Sequence, residues 1–356
     1  MKKTCLIIFV FFLLASFFPV NIRAQENPPN KIGINIGSHL EYFDQAAETV
    51  GPGGWITIMP QSLSPEVLNP LFERHPEVNV IIRTHYPQTV PSPSEAASLV
   101  ASLGNINTQN KIFIMPWNEP NLARECGGVG NETNPGDSAC APQVTAYTDA
   151  LFAQLGASGL LHTKIEVLSP MINQSAPNFA AFVDALGGGS FYRQFYGVSM
   201  NLYNFQEGCP ADNLLCKPNP LLNPIKYREI LAGYGVGDMK VFGIETGVVI
   251  GHPIYDAVAM FNFLTQAYES WVKDPNFIMA SPYIYDPEIG THPMWLWGSA
   301  VEEFIEFLQD LSGHPIYGEA AEDILKLFEE WLQEKLRLGE LVLCDDGSYA
   351  PSLDLC

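Results

Sequence analysis

Two short stretches of the chain place a glutamate where an apolar run ends. In Ile112-Phe-Ile-Met-Pro-Trp-Asn-Glu-Pro-Asn121 the polar pair is Asn118 and Glu119, and Val241-Phe-Gly-Ile-Glu-Thr-Gly247 delivers Glu245. Each apolar run is typical of a strand that is buried on both faces, and a carboxylate is not expected in such an apolar environment. Two carboxylates, one protonated and one ionised, are the groups that glycoside hydrolysis needs: one protonates the leaving oxygen, and the other attacks the anomeric carbon or activates water.

Eight short apolar runs recur along the chain with helical patterns between them, which is typical of parallel strands and crossover helices. The runs are residues 31–37, 55–59, 79–84, 112–116, 165–170, 196–202, 240–244 and 277–283. The candidate helices are residues 41–50, 65–74, 94–103, 143–157, 178–186, 224–233, 257–272 and 301–311. Eight strand–helix pairs close most economically into an α/β (β/α)8 barrel, the TIM barrel. A doubly wound open sheet is the alternative, but the turn after the first run lacks the Gly-x-Gly-x-x-Gly spacing of a nucleotide site.

In such a barrel the chemistry lies at the C-terminal ends of the strands, and there the runs turn polar. Strands four and seven lie on opposite sides of the barrel mouth, so Glu119 and Glu245 are expected to face each other. A separation of about 5 Å predicts retention of configuration, and one of about 7–9 Å predicts inversion. The other residues that we predict to contact substrate or to hold Glu245 ionised are Asn118, Arg83, His85, Asn201, Tyr203, Trp295 and Trp297. Asn35, Gln61 and Asn173 could line the pocket, but strand-end amides also cap backbone groups, so we do not rank them as site residues.

The first glutamate lies in a motif with a known counterpart. Trp117-Asn118-Glu119-Pro120 resembles the Asn-Glu-Pro motif at the end of strand four in clan A glycoside hydrolases, the retaining cellulase-like and mannanase-like (β/α)8 enzymes. Phe242-Gly-Ile-Glu245 resembles their strand-seven segment. The resemblance implies that Glu119 is the general acid/base, that Glu245 is the nucleophile and that the reaction is retaining.

Further positions agree with this resemblance or depart from it. His85 resembles the strand-three histidine of many members, and Tyr203 resembles their strand-six tyrosine. Many cellulase-like members have His-x-Tyr on strand six, whereas this chain has Asn201-Leu-Tyr203. No tryptophan stands at the end of strand eight, so Trp295 or Trp297 in the following loop could supply the stacking platform for a sugar. These departures keep one alternative open, a catalytically inactive carbohydrate-binding or cell-surface barrel protein.

The net charge and the N-terminal pattern limit which partners and which cellular location we expect. Lys2-Lys3, the apolar residues 5–20 and the small residue Ala24 predict a secretory signal peptide at residues 1–24, with a membrane anchor as the alternative. The chain has 39 acidic and 18 basic residues, and loss of the three basic leader residues takes the formal charge from −21 to about −24. Such a surface repels nucleic acid and anionic membranes. We expect a secreted or periplasmic monomer that acts on a neutral carbohydrate.

Six cysteines follow the leader in three close pairs, each within one loop or tail. The pairs are Cys126 with Cys140, Cys209 with Cys216, and Cys344 with Cys356. In an exported protein these cysteines would be oxidised, so disulfides between the nearest neighbours are favoured over zinc binding. Residues 25–312 are predicted to form the catalytic barrel, and residues 313–356 an extra C-terminal helix and a disulfide-tied tail.

Other hydrolytic chemistries lack their motifs. No Gly-x-Ser-x-Gly elbow occurs, which argues against a serine esterase. No His-Glu-x-x-His occurs, and the seven histidines are scattered along the chain. We therefore expect a reaction that needs neither a metal nor another cofactor.

Overall fold

All eight predicted apolar runs form strands in the computed structural model of the chain. The strands are β1 Gly33–Gly37, β2 Trp55–Ile58, β3 Asn79–Arg83, β4 Ile112–Met115, β5 Ile165–Val167, β6 Val198–Asn204, β7 Val241–Val248 and β8 Phe277–Pro282. The structure describes residues 30–60, 63–84, 91–109, 111–126, 140–173, 178–204, 224–248, 271, 274–282, 333, 336–339, 342–343 and 349–350. Every strand overlaps its predicted run, so these eight strands and their order are confirmed.

Helices lie between most of these strands. They are α1 Phe43–Val50, α2 Pro65–Arg74, α3 Pro93–Asn105, α4 Ala141–Ala157, α5 Phe179–Leu186, α6 Gly189–Arg193 and α7 Pro224–Gly233. Local rules explain their ends: α3 begins with a proline, and the Glu95 side chain accepts a hydrogen bond from the Ser92 backbone N–H. Gly187 ends α5 with a φ of 106°, which glycine adopts without strain. The short α6 was not predicted, because Gly187-Gly188-Gly189, the last of which begins this helix, indicated only a helix end.

The eight strands are parallel and fall into two sheets. Strands β1 to β5 are hydrogen-bonded in sequence order, and β6, β7 and β8 form the second sheet. Isolated parallel bridges lie between the edges of these sheets: Leu168 after β5 pairs with Gly197 before β6, and Ile32 before β1 pairs with Ala280 of β8. The protein therefore has an α/β fold with parallel strands. Closure of the two sheets into one eight-stranded barrel stays a prediction.

Both faces of the strands are buried, as near-continuous apolar runs predict. One face packs with the helices in a large apolar cluster that includes Ile56 and Ile114. The opposite face forms a second cluster, in which Trp55 of β2, Phe113 of β4 and Phe242 of β7 meet with ring centroids 4.9, 5.5 and 5.8 Å apart. The second cluster thus joins side chains from both sheets. Because the strands are parallel, their polar C-terminal ends lie at one common edge.

The C-terminal part of the chain and the cysteines are described only in part. Cys126 and Cys140 form a disulfide, as predicted. The other four cysteines lie outside the described residues, as does the predicted helix 301–311, and of the predicted helix 257–272 the structure describes only Trp271, as helical. Residues 333 and 336–338 are helical, within the predicted extra helix. Beyond them, β9 Val342–Leu343 pairs antiparallel with β10 Tyr349–Ala350.

Candidate active site

The two candidate glutamates and their neighbours lie at the C-terminal ends of the strands. Glu119 follows β4, Arg83 is the last residue of β3, and Glu245 lies in the second half of β7. Asn201 of β6 is paired with Glu245 in the β6–β7 ladder. Since neighbouring strands are about 4.8 Å apart, the Asn201 side chain starts next to that of Glu245.

The backbone around Glu119 holds this residue in an unusual conformation. Its φ of 42° lies in the left-handed region, which costs a non-glycine residue on the order of 1–3 kcal/mol. The Glu119 N–H donates to the Met171 carbonyl at 2.6 Å, and the Leu122 N–H donates to the Glu119 carbonyl at 2.9 Å. The buried Trp117 indole donates to the Glu125 carbonyl at 3.3 Å. These bonds therefore fix the backbone from which the Glu119 side chain projects.

The Glu119 carboxyl group is held mostly in its protonated form. Burial raises its pKa to about 8, and the negative charge of Glu245 acts in the same direction. Two side-chain amides oppose this shift: Asn201 and Asn173 donate to Oε1 at 2.7 and 2.8 Å. A carboxyl group with this pKa carries a proton at neutral pH, as a general acid must.

We expect Glu119→Gln to raise the free energy of unfolding at pH 8–9 and to leave it nearly unchanged near pH 4. Between the ordinary pKa of 4.5 and the folded value of about 8, the folded state holds a proton that the unfolded state has released, so wild-type stability falls as pH rises through this window. Glutamine does not ionise, so the variant does not lose stability in this way. Each pKa unit corresponds to about 1.4 kcal/mol, and we expect a gain on the order of 2–4 kcal/mol in urea unfolding.

A matched control for this experiment is Glu166→Gln. Glu166 is also buried, but it accepts hydrogen bonds from Lys111 at 2.5 Å and from His162 at 2.8 Å. Loss of its charge should therefore lower stability, because it leaves the Lys111 ammonium group without its charge partner. A difference between wild type and Glu119→Gln that stays constant from pH 4 to pH 9 would contradict the raised pKa.

Glu245 is paired with an arginine in a nearly dry environment. An Nη1 hydrogen of Arg83 is donated to Oε1 of Glu245, and the two residues are 4% and 7% exposed. The guanidinium supplies the positive charge that a buried carboxylate requires. Arg83 therefore contacts Glu245 directly, whereas its predicted contact with substrate stays a prediction.

Removal of this guanidinium should be costly. We expect Arg83→Met to lower the free energy of unfolding at pH 7 by ~3–5 kcal/mol, because it leaves the Glu245 carboxylate buried without its charge partner. The double variant Arg83→Met/Glu245→Gln should recover most of this loss. Arg74→Met is the control, since Arg74 pairs with Asp44 on the surface and should contribute less than about 1 kcal/mol. A loss below about 1 kcal/mol in Arg83→Met would show that other groups satisfy Glu245.

Asn201 links the two glutamates. Its amide donates to Glu119, while its backbone pairs with Glu245, and the ladder is irregular between Met200 and Asn201. The negative charge of Glu245 also acts on Glu119, where it raises the pKa of that carboxyl group. The two predicted catalytic residues therefore belong to one site.

Asn118 offers a buried acceptor beside Glu119. The residue is 7% exposed, and within the described part of the chain its Oδ1 atom accepts no hydrogen bond. Buried polar atoms without a partner are rare in proteins, because they lose hydration without compensation. Asn118 is therefore suited to accept a hydrogen bond from a ligand hydroxyl group.

Some predicted site residues cannot be placed, and one functional contact was missed. His85, Trp295 and Trp297 lie outside the described residues, and for Tyr203 the structure describes the backbone in β6 but not the side chain. Asn173, which we did not rank as a site residue, donates to Glu119. Its signal in the sequence was only a strand-end amide after the fifth run, the same feature that we discounted.

Two other features are absent from the part of the chain that the structure describes, a metal-binding cluster and a membrane-spanning helix. No group of three or more histidine, cysteine, aspartate or glutamate side chains is arranged there to hold a metal ion. None of the helices within the described ranges is both long and apolar enough to cross a bilayer.

Comparison with known proteins gives only distant likenesses. No known protein family matches the chain, and no curated protein sequence does. Among solved structures, a GH128 (subgroup II) endo-beta-1,3-glucanase from Sorangium cellulosum is 15% identical, with a TM-score of 0.44 over 76% of this chain and 93% of that one. A GH128 (subgroup VI) exo-beta-1,3-glucanase from Aureobasidium namibiae is 10% identical, with a TM-score of 0.46 over 76% and 89%. A GH128 (subgroup VII) oligosaccharide-binding protein from Cryptococcus neoformans is 14% identical, with a TM-score of 0.45 over 81% and 97%. These values are too low to assign this chain a family or an activity.

Proposed function

We propose that the protein is a retaining glycoside hydrolase that cleaves β-linked glycosides or polysaccharides at the mouth of a (β/α)8 barrel. The observation that carries this proposal is the contrast between two coupled glutamates. The pKa of Glu119 is raised to about 8, whereas Glu245 is buried against the guanidinium of Arg83. One proton donor and one carboxylate nucleophile are the two roles that glycoside hydrolysis requires.

In the first step, an oxygen of the Glu245 carboxylate attacks the anomeric carbon. The bond between that carbon and the leaving oxygen breaks, and Glu119 transfers its proton to this oxygen. The products of the step are a free alcohol and a glycosyl ester on Glu245. Arg83 keeps Glu245 in place before attack, and Asn118 is suited to bind a hydroxyl group of the reacting sugar.

In the second step, Glu119 takes a proton from water, and the oxygen of that water attacks the anomeric carbon. The ester bond to Glu245 breaks and releases the sugar with its original configuration. The first step prepares Glu119 for this role as a base. Once Glu245 is an uncharged ester, it no longer raises the pKa of Glu119, and the hydrogen bonds from Asn173 and Asn201 favour the carboxylate.

The remaining sequence predictions complete the proposal. We propose that His85, Tyr203, Asn201 and at least one of Trp295 and Trp297 contact the substrate around the two glutamates. Residues 1–24 direct export, and the acidic mature chain acts as a monomer on a neutral carbohydrate without a cofactor. The separation of residues 25–312 as a catalytic barrel from residues 313–356 is part of the same proposal.

The test is a substrate panel with the stereochemistry of the product as a second readout. The purified protein is incubated with aryl β-glycosides and with β-glucan, mannan and xylan oligosaccharides, and proton NMR follows the first anomer released. Early formation of the β-anomer supports double displacement, whereas early formation of the α-anomer contradicts it. Sugar binding without turnover of any substrate would replace the hydrolase with a carbohydrate-binding protein.

A further inference from the structure

Asn121, two residues beyond Glu119, is fully buried. Among the described residues, its side chain bonds to Asn173 and Asn178, not to the Glu119 carboxyl group. The Nδ2 atom of Asn121 donates to the Asn173 carbonyl at 2.8 Å, and the Asn173 N–H donates to Oδ1 of Asn121 at 2.9 Å. One amide side chain thus satisfies both backbone groups of Asn173. Such a paired bond fixes the position and the orientation of the backbone that it holds.

The same asparagine is tied to the start of α5. The side chain of Asn178, the residue before this helix, donates to the Asn121 carbonyl at 2.8 Å. The Asn121 side chain also lies 3.4 Å from Oδ1 of Asn178. Asn121 therefore connects the segment after β4 with the segment after β5 and with the following helix.

The residue that Asn121 holds is one that acts on Glu119. The Nδ2 atom of Asn173 donates to Oε1 of Glu119 at 2.8 Å. We propose that Asn121 is a positioning residue, whose buried amide holds Asn173 so that Asn173 can donate to the Glu119 carboxyl group. This inference rests on the proposed function only for the identity of the reaction that would be affected. The arrangement of Asn121, Asn173 and Glu119 does not depend on that function.

The loss of this arrangement has a defined electrostatic consequence. A hydrogen bond donated to a carboxylate favours its ionised form, so removing the Asn173 bond raises the pKa of Glu119 further. Among the described residues, the charges that act on the pKa of Glu119 are those of Glu245 on β7 and of the buried Glu125, and Arg83 of β3 is paired with Glu245. None of these groups is changed by a substitution at Asn121.

The experiment is a direct titration of Glu119 in variants of the full chain. Protein labelled with carbon-13 at the glutamate carboxyl groups is titrated by NMR, and Glu119→Gln identifies the Glu119 resonance by its loss. We expect Asn121→Ala to raise the pKa of Glu119 by roughly 1 unit and Asn173→Ala to raise it by the same amount. In the double variant the shift should be no larger, because both substitutions remove one hydrogen bond.

Asn30→Ala is a matched control at the opposite end of the strands. Asn30 also donates to a backbone carbonyl, that of Val50 at 2.6 Å, and accepts from a backbone N–H, that of Ile32 at 3.0 Å. Its loss should destabilise the fold without moving the Glu119 titration. If Asn121→Ala does not fold, Asn121→Leu, which has a similar side-chain volume but cannot form hydrogen bonds, takes its place, and a shift in the same direction is expected.

The inference is overturned if Asn121→Ala, or its substitute, leaves the titration of Glu119 unchanged. It is also overturned if Asn173→Ala has no effect, or if the shifts of the two variants add. If the wild type hydrolyses a glycoside, the alkaline limb of its pH profile should move upward in Asn121→Ala by the NMR shift. If the wild type hydrolyses none, the proposed function fails while the titration still decides the role of Asn121.

Discussion

Glu245→Gln is expected to lose glycoside hydrolysis by ~10⁴-fold or more in kcat/KM. A carboxamide cannot form the glycosyl ester, and it also removes the negative charge that offsets the developing positive charge at the anomeric carbon. Because the nucleophile acts on every substrate, the loss should be similar for an activated aryl glycoside and for an oligosaccharide. Initial rates on both substrates at pH 6 measure it.

The role of Glu245 can be separated from a general effect of removing a buried glutamate. Glu166→Gln makes the same substitution at a buried, ion-paired position on β5. This variant should retain hydrolysis under all conditions in which it is folded. In Glu245→Ala, added azide should enter the vacated space and attack a β-aryl glycoside, giving the α-glycosyl azide. A β-glycosyl azide from this variant would contradict Glu245 as the nucleophile.

The strands could be predicted because burial on both faces leaves a strong local signal. Runs such as Ile112–Met115 are apolar at every position, and this pattern persists whichever neighbours the strand acquires. Glu119 and Glu245 were chosen as candidate catalytic residues by the same logic, because a carboxylate is not expected where a buried apolar strand ends. Both features depend on the residues of one segment alone.

The contacts that tune the site depend instead on distant segments. Asn173 follows the fifth run as an ordinary strand-end amide, and only the fold brings it within 2.8 Å of Glu119. The conformation of Glu119 at a φ of 42° depends likewise on its bond to the Met171 carbonyl, which belongs to the next strand segment. Such features cannot be read from a sequence window, because each joins residues about 50 positions apart.

Asn121 shows how the two kinds of information combine. In the sequence it is the last residue of the stretch that carries Glu119, and it could be an exposed turn residue as easily as a buried one. In the structure it is fully buried and bonds to Asn173 on both backbone groups. Chain proximity to Glu119 and spatial proximity to Asn173 together give this asparagine its proposed role.

Glu119→Gln is expected to lose activity according to how much the leaving group needs a proton. For an oligosaccharide, whose leaving group is a poorly acidic alcohol, kcat/KM should fall by ~10²–10⁴-fold. For a dinitrophenyl β-glycoside, whose leaving group departs without a proton, kcat/KM should fall by less than about 10-fold. Its kcat should still fall strongly, because the variant has no base to activate water in the second step.

The pH dependence tests the same assignment from the other side. Wild-type kcat/KM on the oligosaccharide should fall as pH rises through about 8, where Glu119 loses the proton that it must donate. In Glu119→Gln this alkaline limb should disappear, and added azide should restore turnover of the dinitrophenyl substrate in Glu119→Ala as the β-glycosyl azide. An equal loss of kcat/KM on both substrates would contradict a general acid, because a purely structural role of Glu119 would not depend on the leaving group.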